Sequence, residues 1–218
     1  MNPAGSSSLK SPIEGPITRS HAPPFKGPFA LDGPVHRQPR GVARIAVVGG
    51  ESTGKSTLVA ALGARYGEPC VAEYGRTLWE ERRGQLVYDD LRAIGVRHVA
   101  DEDEATSRAS RCTFIDTTPL TTLWYSLDGY ASADPELVCL SWRRYDLTLV
   151  CAPDFPFVQD GSRSSEDFRM RHDRWIRSIL RARGVDYIDV RGSIEARIAQ
   201  VAALLDSLYG RALHGLVP

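Results

Sequence analysis

The chain has 218 residues, a hydrophobic fraction of 42% and equal numbers of basic and acidic residues, 27 of each. This length and composition predict one domain of ordinary size with a buried core. The balanced charge argues against a nucleic-acid or anionic-membrane partner, and no apolar run approaches the about 18 residues of a membrane helix. The N-terminus lacks a secretory signal pattern, and the cysteines lack metal-site spacing, so we expect a cytoplasmic protein with free thiols.

Residues 1–43 differ from the rest of the chain in composition. They hold eight of its 14 prolines, and their apolar residues follow neither a helical nor a strand period. Such a segment buries too little surface to offset its ordering entropy. We therefore predict a disordered or loosely packed tail over 1–43, a folded domain over 44–210 and a short C-terminal tail over 211–218. A docking arm is the functional alternative for the first tail.

Short apolar runs alternate with helical patterns after the tail. The runs are Arg44–Val48, Cys70–Ala72, Thr113–Ile115, Leu147–Cys151 and Tyr187–Val190. Helical patterns cover Ser56–Tyr66, Tyr88–Arg108, Thr118–Tyr130, a helix from Pro135, a stripe from Phe168 to Leu180, and a segment after Ser193. Continuously apolar strands alternating with helices predict an α/β fold, with a parallel sheet covered on both faces.

A phosphate-binding loop follows the first predicted strand, because Gly49–Ser56 (GGESTGKS) matches GxxxxGK[ST] between a strand and a helix. Its glycines let backbone N–H groups approach phosphate oxygens, and the helix N-terminus faces the same anions. Lys55 reaches the β- and γ-phosphates of ATP, and the Ser56 hydroxyl is a ligand for Mg²⁺. The predicted ATP-binding residues are Gly49, Gly50, Glu51, Ser52, Thr53, Gly54, Lys55, Ser56 and Thr57.

A carboxylate ends the third predicted strand, where Thr113–Asp116 (TFID) has the Walker-B form. Strands of a parallel sheet present their carboxyl ends to the ligand, so Asp116 is predicted to be the second magnesium group. No [NT]KxD motif for reading guanine occurs in the chain. This favours ATP over GTP.

Two further segments are candidates for the acceptor side. Glu73 follows the second predicted strand, and a carboxylate there accepts hydrogen bonds from hydroxyls or takes a proton from one. Arg76 would help to balance phosphate charge, although a surface Glu–Arg pair is an equal alternative. Thr117 and Thr118 either cap the next helix or line an acceptor pocket.

A lid is predicted after the fourth strand, where residues 159–165 lead into Arg169, Arg171 and Arg174. Arginines on a lid close over the transferring phosphoryl group and exclude water. Arg163, within the loop itself, is the preferred catalytic candidate. A solvated basic helix face is the alternative for each arginine.

Four segments together resemble the ribosylnicotinamide kinase domain of NadR-type proteins, in the P-loop AAA-type ATPase and kinase class. They are GGESTGKSTL (Gly49–Leu58), AEYGR (Ala72–Arg76), FIDTTPLTT (Phe114–Thr122) and FVQDGSR (Phe157–Arg163). The resemblance covers about residues 44–190 and keeps the family's order of motifs. Gln159 before Asp160 departs from the family's lid motif.

The resemblance implies transfer of the ATP γ-phosphate to the 5′-hydroxyl of nicotinamide riboside, which gives nicotinamide mononucleotide. It implies that Lys55 and Ser56 serve ATP and Mg²⁺, and that Asp116 binds Mg²⁺ through water or polarises the attacking hydroxyl. Residues expected near the riboside or in the lid are Glu73, Tyr74, Arg76, Thr117, Thr118, Asp160 and Arg163. Only the tail precedes the P-loop, so a stand-alone kinase is expected, without the adenylyltransferase and DNA-binding domains of multidomain relatives.

These expectations combine into a three-layer P-loop kinase fold with a lid and a five-stranded parallel sheet in the order 2-3-1-4-5. The catalytic residues are expected to be Lys55, Asp116, Glu73 and Arg163. The alternatives are a P-loop kinase for another nucleoside or small metabolite, and an ATP-binding regulator without phosphotransfer. A DNA-associated ATPase is disfavoured by the neutral charge.

Overall fold

The computed structural model describes residues 41–155 and 165–209. Its strands are β1 (Ala43–Val48), β2 (Cys70–Val71), β3 (Cys112–Asp116), β4 (Leu147–Cys151) and β5 (Ile188–Val190). They form one five-stranded sheet in the order β2-β3-β1-β4-β5, and every pair is parallel. The predicted topology is confirmed. Most of the tail, the lid loop and residues 211–218 lie outside the described residues.

Seven helices are present within the described ranges. They are α1 (Lys55–Tyr66), α2 (Tyr74–Glu81), α3 (Tyr88–Arg108), α4 (Pro119–Tyr130), α5 (Pro135–Leu140), α6 (Glu166–Ala182) and α7 (Ile194–Tyr209). Helix α2 was not predicted, because the segment after the second predicted strand was interpreted only as a candidate for the acceptor side. Gly75 lies in the first turn of α2 and is a poor helix former, which concealed the helix in the sequence.

The helices cover both faces of the sheet, as the apolar strands require. On one face, α1 and α7 pack on Ile45, Val47 and Phe114 through residues such as Leu62 and Leu205, all of them fully buried. On the other face, α4 and α6 pack on Val48 and Val150, and α3 packs on Val71 and Ile115. This is the predicted three-layer arrangement, and the three central strands are rich in β-branched residues because both of their faces are buried.

The strand order brings several chemically active segments to one edge of the sheet. Strands β1 and β3 lie side by side, with Val47 in register with Asp116. Their carboxyl ends carry the glycine loop and the Walker-B carboxylate, and β2 ends two residues before Glu73. Strand β1 begins at Ala43, the last residue assigned to the tail, and Ala43 is buried. No helix in the described ranges is long and apolar enough to cross a membrane.

Candidate active site

The glycine loop between β1 and α1 requires its glycines because neighbouring backbone lies very close. Gly49 has φ +143°, and a Cβ built on it would lie 2.7 Å from the carbonyl oxygen of Cys151. A Cβ on Gly50 would lie 2.8 Å from the carbonyl oxygen of Arg169 in α6. Gly54 has φ +76° and immediately precedes α1. The loop therefore leads directly into a helix N-terminus, which is a binding geometry for phosphate.

Two side chains of the loop stabilise its conformation by hydrogen bonds to its own backbone. The Thr53 hydroxyl donates to the Gly50 carbonyl oxygen at 2.8 Å, and Lys55 Nζ donates to the same oxygen at 2.8 Å. Ser52 takes a left-handed conformation with φ 54°. The ammonium group thus lies at the centre of the loop, where its charge faces any bound phosphate.

A buried arginine of α7 anchors the back of the loop. The guanidinium of Arg197 is fully buried and donates to the carbonyl oxygens of Thr53 at 2.7 Å, Ala152 at 3.0 Å and Gly192 at 2.9 Å. It also pairs with the carboxylate of Asp154. One side chain therefore ties the phosphate loop to the ends of β4 and β5.

The Walker-B carboxylate lies at the end of β3, as predicted. Asp116 is 3% exposed, and its Oδ1 has no hydrogen-bond partner among the described residues. The next residue, Thr117, has φ 68°, and its N–H donates to the Val47 carbonyl oxygen at 3.0 Å. The backbone thus turns sharply at the edge of the sheet, and Asp116 Oδ1 lies beside the P-loop unbonded to any described residue.

A single cleft of about 620 Å³ joins the phosphate loop to the helices beside it. At one end it is lined by Glu51, Ser52, Thr53, Gly54, Lys55, Ser56 and Thr57. At the other end it is lined by Glu73, Gly75, Arg76, Trp79, Leu86, Leu91, Ile94, His98, Thr117, Thr121, Thr122, Tyr125, Tyr130 and His172. We call these the nucleotide end and the acceptor end. A volume of this size is typical of a site for a small molecule.

Glu73 occupies the junction of the two ends. It is the residue before α2, with φ −67° and ψ 97°, and its side chain does not cap that helix. Burial raises the pKa of its carboxyl group, and the nearby carboxylates of Asp116 and Glu51 act in the same direction. Lys55 and Arg76 act against them, because their positive charges favour the ionised form.

Two predicted substrate residues lie apart from the cleft lining. Tyr74 packs with α3, where the guanidinium of Arg97 lies 5.4 Å from the centre of its ring. Thr118 is the N-cap of α4, and its carbonyl oxygen accepts a bond from the Thr121 N–H at 2.8 Å. Thr118 therefore occupies the N-cap position, but its side chain makes no capping hydrogen bond, whereas Arg76 and Thr117 do line the cleft.

The predicted lid is only partly visible. Asp160 and Arg163 lie outside the described residues. Of the three arginines that follow, Arg171 pairs with a carboxylate of α4 and Arg174 is exposed. Arg169 is 3% exposed, and α6 holds it against Gly50 of the phosphate loop. The solvated-face alternative therefore describes the other two and not Arg169.

Sequence reasoning did not place several lining residues in a site. Trp79 lies on the unpredicted helix α2, and His98 and His172 were expected only on buried helical stripes. Tyr125 donates a hydrogen bond to Glu51 Oε1 of the phosphate loop at 3.1 Å, and nothing local in the sequence signals that contact. These residues meet at the cleft only because α2, α3, α4 and α6 pack together.

Comparison with known proteins identifies relatives that are similar to this chain in sequence. NadR, the trifunctional NAD biosynthesis/regulator protein, is 28% identical over 185 residues in both Salmonella typhimurium and Escherichia coli. These matches cover 81% of this chain and 45% of each relative, so the chain spans about half the length of the curated relatives it matches. The resemblance to NadR-type proteins is confirmed.

Solved structures confirm the fold. A NadR protein in complex with NR superposes with a TM-score of 0.60 at 23% identity, over 76% of this chain and 51% of that one. Thymidylate kinase from Candida albicans gives a TM-score of 0.54 at 15% identity, over 82% of this chain and 96% of that one.

A family model described as an AAA domain matches residues 44–197, which is more than half of the chain. The chain therefore belongs to the AAA_28 family of AAA domains.

Proposed function

We propose that this protein transfers the γ-phosphoryl group of ATP to the 5′-hydroxyl of nicotinamide riboside and so forms nicotinamide mononucleotide. The observation that carries the proposal is the continuous cleft, which joins a P-loop to a pocket with apolar and polar walls and with a carboxylate at the junction. Similarity to NadR, which is named for NAD biosynthesis, and to a NadR structure in complex with NR supports this choice of acceptor.

The nucleotide end provides positive electrostatic potential without bulky side chains. Backbone N–H groups of the glycine loop and the N-terminus of α1 face the β- and γ-phosphates of ATP. Lys55, which projects over the loop, neutralises the charge that spreads over the equatorial oxygens during transfer. Arg169 in α6 packs its backbone carbonyl and Cγ against the same loop, while its guanidinium pairs with the carboxylate of Glu166.

The residues beside the loop fit a magnesium ion. Asp116 supplies a buried carboxylate oxygen with no partner among the described residues, and the hydroxyl-bearing Ser56 lines the cleft. Hard oxygen ligands of this kind, few in number, are what Mg²⁺ prefers when phosphates complete its shell. These two residues would hold the ion, and when bound it neutralises phosphate charge.

The acceptor end suits a sugar attached to a planar ring. Trp79, Leu86, Leu91 and Ile94 form apolar walls, and Glu73 lies where these walls meet the P-loop. The 5′-oxygen attacks the γ-phosphorus while the bond from that phosphorus to the bridging oxygen breaks and ADP leaves. The proton of the 5′-hydroxyl passes to the Glu73 carboxylate, whose raised pKa makes it a stronger base than an exposed glutamate.

The first experiment measures ADP formation by the purified protein with Mg-ATP, with and without nicotinamide riboside, and identifies the product by mass. We expect strong stimulation by the riboside and the mass of nicotinamide mononucleotide. A matched preparation of Lys55→Ala, which removes the P-loop ammonium group, should show neither.

Two other outcomes would change the conclusion. Stimulation by another nucleoside or metabolite from an acceptor panel, but not by nicotinamide riboside, would retain the kinase and replace the acceptor. Binding of ATP without stimulation by any acceptor in the panel would favour the ATP-binding regulator.

A further inference from the structure

An imidazole with no hydrogen-bond partner in the described part of the chain lines the acceptor end of the cleft. His172 lies on α6 and is 1% exposed. Neither of its ring nitrogens has a hydrogen-bond partner among the residues that the structure describes. Buried polar atoms are nearly always paired, and an unpaired one destabilises the folded state. The position therefore calls for an explanation beyond packing.

Aromatic neighbours fix the orientation of this ring. The indole of Trp124 stacks on it at 5.3 Å between ring centres with an interplanar angle of 7°, and Tyr125 meets it edge-on at 5.8 Å. Burial lowers the pKa of His172 to about 3, with a further contribution from the positive charge of Lys55. The ring is therefore neutral at physiological pH and offers one donor and one acceptor.

The ring lies where the two ends of the cleft meet. Its neighbour Tyr125 donates to Glu51 of the phosphate loop at 3.1 Å. One turn earlier on α6, the backbone of Arg169 lies against Gly50 of the same loop. A group bound beside His172 is therefore next to the P-loop and on the acceptor side of it.

We propose that His172 binds the acceptor directly, by a hydrogen bond to a hydroxyl of its sugar. A hydroxyl both donates and accepts, which matches a neutral imidazole, whereas the phosphates have Lys55 and the backbone N–H groups of the loop as partners. This inference rests on the proposed kinase function and identifies the part of the acceptor that the enzyme recognises. It makes His172 a specificity-determining residue for hydroxylated acceptors.

The alternative role for His172 is packing alone, and a pair of variants separates the two. His172→Phe keeps a flat ring against Trp124 and removes both nitrogens. His172→Gln keeps a donor and an acceptor but gives up the stacking. Trp124→Phe is the matched control, because it changes the other ring of the same stacked pair and leaves the imidazole in place.

The test measures kcat and KM for the acceptor and for ATP, together with Tm, in the wild type and these variants. We expect His172→Phe to lower kcat/KM for the acceptor by about 10-fold, as the loss of one neutral hydrogen bond allows, with the KM for ATP within about twofold. Its Tm should rise by about 2–4 °C, because two unpaired polar atoms leave the core. His172→Gln should recover part of the acceptor kcat/KM despite a lower Tm.

Two outcomes would overturn the inference. One is a His172→Phe protein with wild-type acceptor kinetics, and the other is an equal kinetic loss in Trp124→Phe and His172→Phe. Failure of the proposed function has a different signature, namely a wild-type protein that nicotinamide riboside does not stimulate. In that case the same variants are compared with the acceptor that the panel identifies, and the same two outcomes decide the role of His172.

Discussion

The two ends of the cleft are built in different ways. The nucleotide end is one continuous segment, residues 51–57, which presents backbone groups to the cleft and is anchored from behind by Arg197. The acceptor end is assembled from side chains of α2, α3, α4 and α6, which are far apart in the sequence. A local motif therefore specifies the first end, whereas packing of the whole domain specifies the second.

Lys55→Ala should have the largest effect, because the proposed mechanism places Lys55 against the phosphoryl group that passes between the two ends. Removing the ammonium group should lower kcat by at least about 10²–10³-fold, the range seen when one charge-stabilising donor is lost. The assay is steady-state ADP formation with nicotinamide riboside, and circular dichroism checks folding. Arg65→Ala, at the last turn of the same helix, is the control, and near-wild-type turnover of a folded Lys55→Ala protein would remove the site assignment.

Glu73→Gln should separate the two ends. Loss of the proton acceptor should reduce kcat by about 10²-fold and should leave the affinity for ATP, measured by calorimetry, nearly unchanged. The pKa of Glu73 is raised by burial, so in the wild type the rate should fall with acidification at a pH above that typical of an exposed glutamate. This acid limb should vanish in the variant.

The control for this change is Glu80→Gln, since Glu80 is an exposed residue of the same helix. Equal loss of ATP affinity and acceptor use in Glu73→Gln would mean that Glu73 has a structural role. An acid limb that persists in the variant would assign the proton to another group, with Asp116 the first candidate.

The contrast between the two ends also explains what could be predicted from the sequence. The strands, the P-loop and Asp116 followed from local patterns, because glycine spacing and apolar runs reflect backbone requirements that act over a few residues. The strand order instead followed from the expected P-loop kinase fold. Arg197 was missed although it interrupts the apolar stripe of α7, since its partners Thr53 and Ala152 are distant in sequence. Side chains that meet through packing leave no local pattern.

Arg197→Met tests whether the anchor serves the nucleotide end alone. Removing the guanidinium leaves the carbonyl oxygens of Thr53 and Ala152 buried without their donor, which should lower the free energy of unfolding by on the order of 3 kcal/mol. Distortion of the loop should raise the KM for ATP by about 10-fold and change the KM for the acceptor much less. Chemical denaturation and steady-state kinetics measure the two effects.

The matched control is Arg177→Met, because Arg177 of α6 also pairs with carboxylates, those of Asp173 and Asp189, but does not line the cleft. It should destabilise the protein and leave the KM for ATP unchanged. If the two variants change the KM for ATP equally, then Arg197 contributes general stability and does not position the loop.

The smallest expected effect is a pH dependence of stability that reports on the acceptor end. The pKa of His172 is lowered by burial to about 3, against about 6.5 in an unfolded chain. Between these values the unfolded state binds more protons, so acidification below about pH 6.5 favours unfolding, by up to about 1.4 kcal/mol per pH unit for this residue. Glu73 and Glu102 have pKa values that burial raises. Their protonation therefore favours the folded state on acidification and opposes the effect of His172 on the free energy of unfolding.

Subtracting the free energy of unfolding of the wild type from that of His172→Phe cancels the contribution of the two glutamates. The free energy of unfolding of His172→Phe minus that of the wild type should be nearly constant above pH 7 and should grow as the pH falls from 6 to 5. Denaturation curves at each pH measure it. A difference independent of pH would mean that His172 ionises in the folded protein as it does in water, and a solvated imidazole of that kind would need no ligand to satisfy its nitrogens.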